Sequence, residues 1–374
     1  MDITPYLRLM VEKEGSDLFF YVGAAPHIKI EGVVRPVGNK PIPAGGVEKI
    51  AYSVMNDDTI RAFERENEAN HAISVSGVGR FRANVFRQRG EVAMVIRYIK
   101  SDIPNVEQLS LPPILNDLIM EKRGLILVVG STGSGKSTSL AAMIDQRNRN
   151  ASGHILTIED PIEFVHQHKK SVVGQREVGI DTLSYANALK NAMREAPDVI
   201  LIGEVRDQAT MGHAIHYAET GHLCLSTLHS NNANGALDRI INFFPEGARD
   251  QLHMDLAATL KAIVSQRLVI GADGRRVPAV EILLNTPYIA ELIQKGRVDQ
   301  IKDAMTQGAQ IGMQTFDQAL FKLYQEGRIS EDEAIKNADS KNNVALEIRL
   351  SRGAAGADSA DLTIHEEEDV GQTW

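Results

Sequence analysis

The sequence predicts a two-domain α/β chain: a small α+β domain, then a mostly parallel sheet layered with helices that ends in a helical region. Three observations carry this. From residue 124 onward, short apolar runs of strand length alternate with helix-length stretches, as in a parallel sheet covered on both faces. Before residue 100, β-forming residues alternate and are cut by glycine turns, as in an antiparallel sheet. Between the two lies Ser101–Pro113, with Pro104, Pro112, Pro113 and few periodic apolar positions, the composition of a connection.

In the first domain, Tyr6, Leu7, Met10 and Val11 are spaced for a short amphipathic helix that ends near Gly15. Asp17–Val22 reads as a strand. Ile28–Ile30 and Val33–Val34 flank Glu31-Gly32, a hairpin signal. Val47–Met55 and Thr59–Glu66 read as helices, then Ala72–Val75, Arg80–Phe86 and Val92–Ile99 as strands. A helix over Ile114–Lys122 opens the second domain. There, buried strands are predicted at Leu125–Val129, Ile155–Glu159, Val199–Ile202 and Leu223–Thr227, with helices at Lys136–Gln146, Tyr185–Arg194 and Gln208–Glu219. Residues 249–347 read as helical throughout, at Leu252–Ala262, Pro287–Lys295, Val298–Gln307, Phe316–Glu326 and Ser330–Lys336, with Gly296, Gly308 and Gly327 between them. From Gly353 the chain is small, polar and acidic, and disorder is expected there.

The chain has 374 residues, 43% hydrophobic and 24% charged, an ordinary globular composition. Its net charge is −9, but residues 353–374 hold six acids and no Lys or Arg, which leaves −3 on residues 1–352. A near-neutral body gives no electrostatic reason to expect a nucleic-acid partner. Cys224 is the only cysteine, so no intrachain disulfide can form. No apolar run approaches the ~20 residues of a membrane span, so no direct membrane insertion is expected. Met1–Pro5 lacks the basic start of a signal peptide. A cytoplasmic location is the expectation.

Leu125–Val129 empties into Gly-Ser-Thr-Gly-Ser-Gly-Lys-Ser-Thr at 130–138. Gly130, Gly135, Lys136 and Ser137 fill the fixed positions of G-x-x-x-x-G-K-[ST], with Ser131, Thr132, Gly133 and Ser134 between them and Thr138 after. Glycine lets backbone N–H groups crowd a phosphate that a Cβ would push away. The helix predicted from Lys136 points its positive end at the same anion. Lys136 adds a full charge near the β/γ-phosphates, and Ser137 offers a hydroxyl to Mg²⁺. The alternative is a merely flexible glycine-serine loop, but a strand before it and a helix-compatible stretch after it favour ATP with magnesium.

Gly130, Asp160, Glu204 and His229 all fall just past the ends of predicted strands, where ligands of such sheets sit. Glu159, Asp160 and Glu163 close one strand around Pro161. They are either a solvated acidic turn or a cluster that orients the attacking water. Ala196–Asp207 resembles a Walker B strand, with Glu204 after Gly203 in the acid position. Glu204 is the candidate for holding Mg²⁺ through water or activating the nucleophile; Arg206 and Asp207 read as a structural pair. His229 ends the next strand and is a candidate γ-phosphate contact, while His222 reads as a satisfied core residue. His213, His216 and His222 lack a Cys or carboxylate at ligand spacing. Arg80, Arg82, Arg87, Arg89 and Arg97 form either a solvated basic face or a source of phosphate-contacting arginine, for which Arg82 and Arg97 are the candidates.

With these residues in view, the chain resembles the type II/IV secretion ATPase superfamily, and within it the retraction ATPases of bacterial type IV pili, the PilT/PilU family. The resemblance covers about residues 1–340. Its specific pieces are the glycine loop 130–138, an aspartate box at Thr157–Glu163, the Walker B piece Asp198–Asp207 and a histidine box at Thr220–His229. The resemblance implies a PAS-like α+β N-terminal domain over 1–100, a linker over 101–113 and a RecA-like P-loop ATPase domain with a helical C-terminal part over 114–350. An acidic disordered tail follows over 351–374. It implies a homo-hexamer that binds ATP between its two domains, works at the inner face of the inner membrane and engages the inner-membrane pilus platform protein. A PilT-like paralogous ATPase is the other implied partner. Pro287–Ile293 lacks the arginine of the principal motors' Ala-Ile-Arg-rich segment, and the acidic tail is longer than theirs. Both departures place the chain nearer the accessory PilU branch. The implied activity is ATP hydrolysis that powers or assists retraction. The alternative is a nucleotide-gated adaptor of a PilT-like motor with little hydrolysis of its own. An assembly motor is disfavoured, because the usual tetracysteine zinc insertion cannot be built from one cysteine.

Overall fold

The computed structural model describes residues 2–357. The first domain is a six-stranded antiparallel sheet. Its strands are β1 (Asp17–Phe20), β2 (His27–Ile30), β3 (Val33–Pro36), β4 (Glu68–Val75), β5 (Gly79–Gln88) and β6 (Glu91–Ile99), ordered β3-β2-β1-β6-β5-β4. The predicted hairpin forms with Ile30 opposite Val33, and Glu31 and Gly32 take φ +48° and +83° in its two-residue turn. Helices Thr4–Glu12, Gly46–Tyr52 and Asp57–Glu66 supply Leu7, Met10, Ile50 and Phe63 to this domain's core.

The second sheet has seven strands. These are β7 (Gly124–Val129), β8 (Gly153–Glu159), β9 (Ser171–Glu177), β10 (Val199–Ile202), β11 (Leu223–Leu228), β12 (Leu260–Ile270) and β13 (Arg276–Leu284), ordered β13-β12-β7-β11-β10-β8-β9. All pair in parallel except β12 with β13. Strands β7, β10 and β11 are buried along their whole length. Their side chains alternate between two cores, as the pleat requires. Leu127, Ile200 and Cys224 meet the helices Tyr185–Ala192, Gln208–Glu219 and Ala233–Phe243. Ile126, Leu201 and Leu225 meet the helix Lys136–Asn150 and the segment around Leu115. Each such buried aliphatic side chain contributes roughly 1.5–3 kcal/mol, so these central strands are a rigid base for the loops at their carboxyl ends.

Several elements differ from the sequence expectation. Residues 249–347 are not helical throughout. The helix predicted over Leu252–Ala262 ends at Thr259, and the chain continues as β12 and β13. Strand β12 is buried on both faces along most of its length, so its residues show no alternation that would mark a strand. The turn at 271–274, with Asp273-Gly274 and φ +78° at Gly274, carried the hairpin signal. Strand β9 and the helix Ala233–Phe243 were also unread. The segment 101–113 has no regular element, yet Val106 and Leu111 are buried in the second domain's core. The helix Lys341–Ala357 crosses the boundary drawn at 350; the rest of the acidic tail lies outside the described residues.

Candidate active site

Strand β7 ends at Val129, and Gly130 follows at φ +154°. A Cβ there would come within 2.5 Å of the Gln266 carbonyl and the Ser134 hydroxyl, so only glycine fits. Gly135, at φ +91°, is the N-cap of the 15-residue helix Lys136–Asn150. A Cβ on it would come within 2.7 Å of Gln266 Nε2. The loop is therefore pressed against β12 at Gly130 and Gly135, and the helix start supplies N–H groups and a positive dipole end. Lys136 Nζ donates to the Gly130 and Ser131 carbonyls at 2.8 Å each, which ties the loop into a ring. Partial burial pulls the Lys136 pKa down, and nearby Glu204 opposes that.

This loop forms one wall of a cleft of about 810 Å³ between the two domains. Gly133, Gly135, Lys136, Ser137 and Thr138 line it, with Glu159, Asp160, Glu163, Glu204 and His229 from three strand ends. The first domain contributes Asp17, Arg97, Tyr98 and Lys100. The structure thus brings most of the residues singled out in the sequence into one cavity. Gly130, Ser131 and Ser134 back the loop on its far side, with Thr132 exposed to both sides.

The acids are held differently. Glu159 takes hydrogen bonds from Thr157 Oγ1 at 2.6 Å and Gln175 Nε2 at 3.4 Å, but burial outweighs them and pushes its carboxyl up to about 7. Glu204 follows Gly203, whose N–H donates to Ile158 O and whose carbonyl accepts from Thr227 Oγ1, so both neighbouring strands fix it. Its two oxygens are engaged by Arg206 Nε at 2.8 Å and His229 Nε2 at 3.3 Å. Arg206 also lies 3.9 Å from Asp160. The expected Arg206–Asp207 pair is corrected: Asp207 caps the helix Gln208–Glu219 by accepting from Thr210 N, because a helix start needs that acceptor.

The two candidate arginines part ways. Arg97 lines the cleft and donates from Nε to Asp17 Oδ1 at 2.8 Å. Arg82, expected over the phosphates, is not in the cleft wall. It points at Glu177, 3.7 Å away, and Arg80 on the same face lies 3.9 Å from Asp181. Glu177 ends strand β9 and Asp181 lies just beyond it; the sequence does not reveal that strand, nor therefore the partners that draw these arginines to the domain boundary.

Residues that sequence reasoning missed include Tyr98, Phe164, His166 and Tyr185. Tyr185 packs beside Gly203, where a Cβ would come within 2.8 Å of its hydroxyl, and burial and nearby acids push its phenol up. His166 is buried with Nδ1 unpaired, and burial pulls its pKa down to about 4. Only the place of Phe164 directly after Glu163 offered a signal.

Among the described residues, no group of three or more His, Cys, Asp or Glu could hold a metal ion. Magnesium that arrives with a nucleotide takes most of its ligands from phosphate and water and only one or two from protein. A hydroxyl in the first turn of the helix, Ser137, with Glu204 in the same cleft, fits that donor set.

A profile of the family described as Type II/IV secretion system protein matches residues 9–334. The Type IV pilus ATPase PilU of Pseudomonas aeruginosa is 52% identical over 97% of this chain and 95% of its own. The Type IV pilus retractation ATPase PilT of the same organism is 41% identical over 92% of this chain and 100% of its own. A crystal structure of the pilus retraction motor PilT with bound ADP superposes with a TM-score of 0.85 at 41% identity, covering 92% of this chain and 98% of that one.

Proposed function

The chain belongs to the type II/IV secretion system protein family as a PilT/PilU-type pilus ATPase, and from that premise we propose that it hydrolyses ATP with magnesium, as a homo-hexamer, to power or assist type IV pilus retraction. The observation that carries this reading is the convergence of the glycine loop, two acidic strand ends and His229 at a third in one interdomain cleft.

In this reading the N–H groups of 130–138 and Lys136 grip the β/γ-phosphates. Magnesium would be held by Ser137, with Glu204 reached through water, and would neutralise charge on the β/γ oxygens. Glu204 orients the attacking water, its carboxylate fixed between Arg206 and His229. Glu159, with its carboxyl near 7, takes or returns a proton at neutral pH, and Glu163 stands beside it. Arg97, anchored by Asp17, meets the triphosphate from the first domain. Arg82 serves the domain contact instead. Loss of the γ-phosphate loosens the hold of His229 and Arg97 and lets the domains part; successive closures around a ring would turn an axial partner. The partners in this proposal are the inner-membrane pilus platform protein and a PilT-like paralogous ATPase, which sets the motor at the cytoplasmic face of the inner membrane.

Phosphate release by the purified full-length chain with ATP and magnesium tests the reading, beside pilus retraction in cells lacking the paralogue. Lys136→Ala is expected to abolish turnover while leaving the fold intact. Wild-type turnover in that variant, or no ATP affinity in the parent chain, would overturn it.

A further inference from the structure

We propose that Arg267 is a positioning residue through which the C-terminal helices hold the loop that carries His229. The inference rests on the reading of the cleft as an ATPase site. Consecutive residues of β12 face opposite sides, and here both sides bear on the cleft. Gln266 faces the nucleotide loop: its side-chain carbonyl accepts from Ser139 Oγ at 2.7 Å, and its backbone carbonyl abuts Gly130. Arg267 faces the other way. Its Nη2 donates to Asn231 O at 3.2 Å and lies 2.7 Å from Asp339 Oδ1; its Nη1 donates to Asn337 O at 2.8 Å. The guanidinium carbon stands 3.8 Å from the centroid of the Phe316 ring.

One planar fork therefore joins three separate pieces of chain. They are the loop after β11, the junction after the helix Glu331–Asn337, and the first turn of the helix Phe316–Gln325. A guanidinium can serve several acceptors in fixed directions while stacked on a ring; an ammonium cannot. Asn231 lies two residues beyond His229, and His229 is the residue against Glu204. At the far end of the same loop, Ala233 N donates to the buried Glu281 of β13 at 2.7 Å. The loop is polar, Ser230-Asn231-Asn232, and has little apolar surface to bury. Its placement depends on these two grips from the β12–β13 hairpin. Among the described residues, Arg267 is the side chain that joins both of these helical segments to Asn231, beside a separate bond from Asn234 Nδ2 to Val298 O at 2.9 Å.

If Arg267 merely glued helices to the sheet, its loss would lower stability without moving the loop. The test combines hydrogen exchange across 228–236 with steady-state phosphate release, on the full-length chain and Arg267→Lys. Lysine keeps a positive charge near Asp339 but cannot span Asn231 and Asn337 together. The expected result is faster exchange at 228–236, unchanged exchange at 125–140, and a fall in kcat of about two- to thirty-fold with KM for ATP nearly constant. Wild-type exchange at 228–236, or a fall in kcat matched by the unfolded fraction alone, would overturn the proposal. Should Arg267→Lys fail to fold, Asp339→Asn loosens the same tie from the helix side, and a smaller change in the same direction is expected; none would overturn it. If the parent chain releases no phosphate, the ATPase reading falls and the exchange at 228–236 alone decides the role of Arg267.

Discussion

Glu204 and His229 stand at the carboxyl ends of adjacent parallel strands, with His229 Nε2 3.3 Å from Glu204 Oε1. The other carboxylate oxygen is held by Arg206 at 2.8 Å. Contacts on opposite oxygens orient the carboxylate, whose side chain is only 17% exposed, as the proposed role of directing a water requires.

Glu204→Gln keeps the shape but removes the charge and one of the two acceptor oxygens, so the remaining carbonyl can keep the Arg206 contact alone. ATP affinity is expected to change little, while turnover falls by about 10²–10⁴-fold. Nucleotide binding and single-turnover rates measured on the same preparation check this; a loss below tenfold rejects the assigned role.

Arg82 faces Glu177, a buried carboxylate whose pKa burial pushes up and whose Oε1 lacks a hydrogen bond. Arg82→Ala is expected to cost roughly 1–3 kcal/mol of stability, because it strands that acid. Adding Glu177→Gln should recover part of the loss, and KM for ATP should stay put in both variants. Thermal unfolding of the full cycle measures the coupling; simple additivity would show the pair to be idle.

The Glu159 carboxyl is pushed up to about 7 from an ordinary 4.5, chiefly by burial, against the hydrogen bonds from Thr157 and Gln175. The folded state thus holds this proton more tightly than the unfolded state. Its contribution to stability is greatest below about 4.5 and is lost as pH rises through about 7, to a total of at most about 3 kcal/mol. Glutamine stays neutral at every pH. The melting temperature of Glu159→Gln relative to the parent should therefore be more favourable at pH 8 than at pH 5, and an offset independent of pH would refute the assignment.

Gly130→Ala places a methyl against the Gln266 carbonyl and Ser134. The backbone of β12 cannot yield easily, so the glycine loop must move. A loss of roughly 1–3 kcal/mol in stability is expected, with ATP affinity reduced as well. Equilibrium nucleotide binding that matched the parent chain would show that the loop tolerates the shift.

Most of the cleft was legible before any coordinates. The glycine loop, Glu159, Glu163, Glu204 and His229 each follow a short apolar run, and parallel sheets collect such strand ends at one edge. Arg82 is drawn toward Glu177, the last residue of β9, a strand whose mixed burial shows no clean period in the sequence. Strands β12 and β13 were hidden for the opposite reason, since a strand buried on both faces is as apolar as a core helix. His166 and Tyr185 reach the cleft through loop and helix packing that leaves no local mark.

By itself, then, the sequence determined the glycine loop and the four strands β7, β8, β10 and β11 around it, because glycine placement and apolar runs act over a few residues. Only the tertiary structure decided which arginine faces the cleft, which carboxylate burial keeps protonated near neutrality, and how β12 ties the terminal helices to the histidine loop. Those outcomes depend on groups brought together from distant parts of the chain, and on the water excluded when they meet.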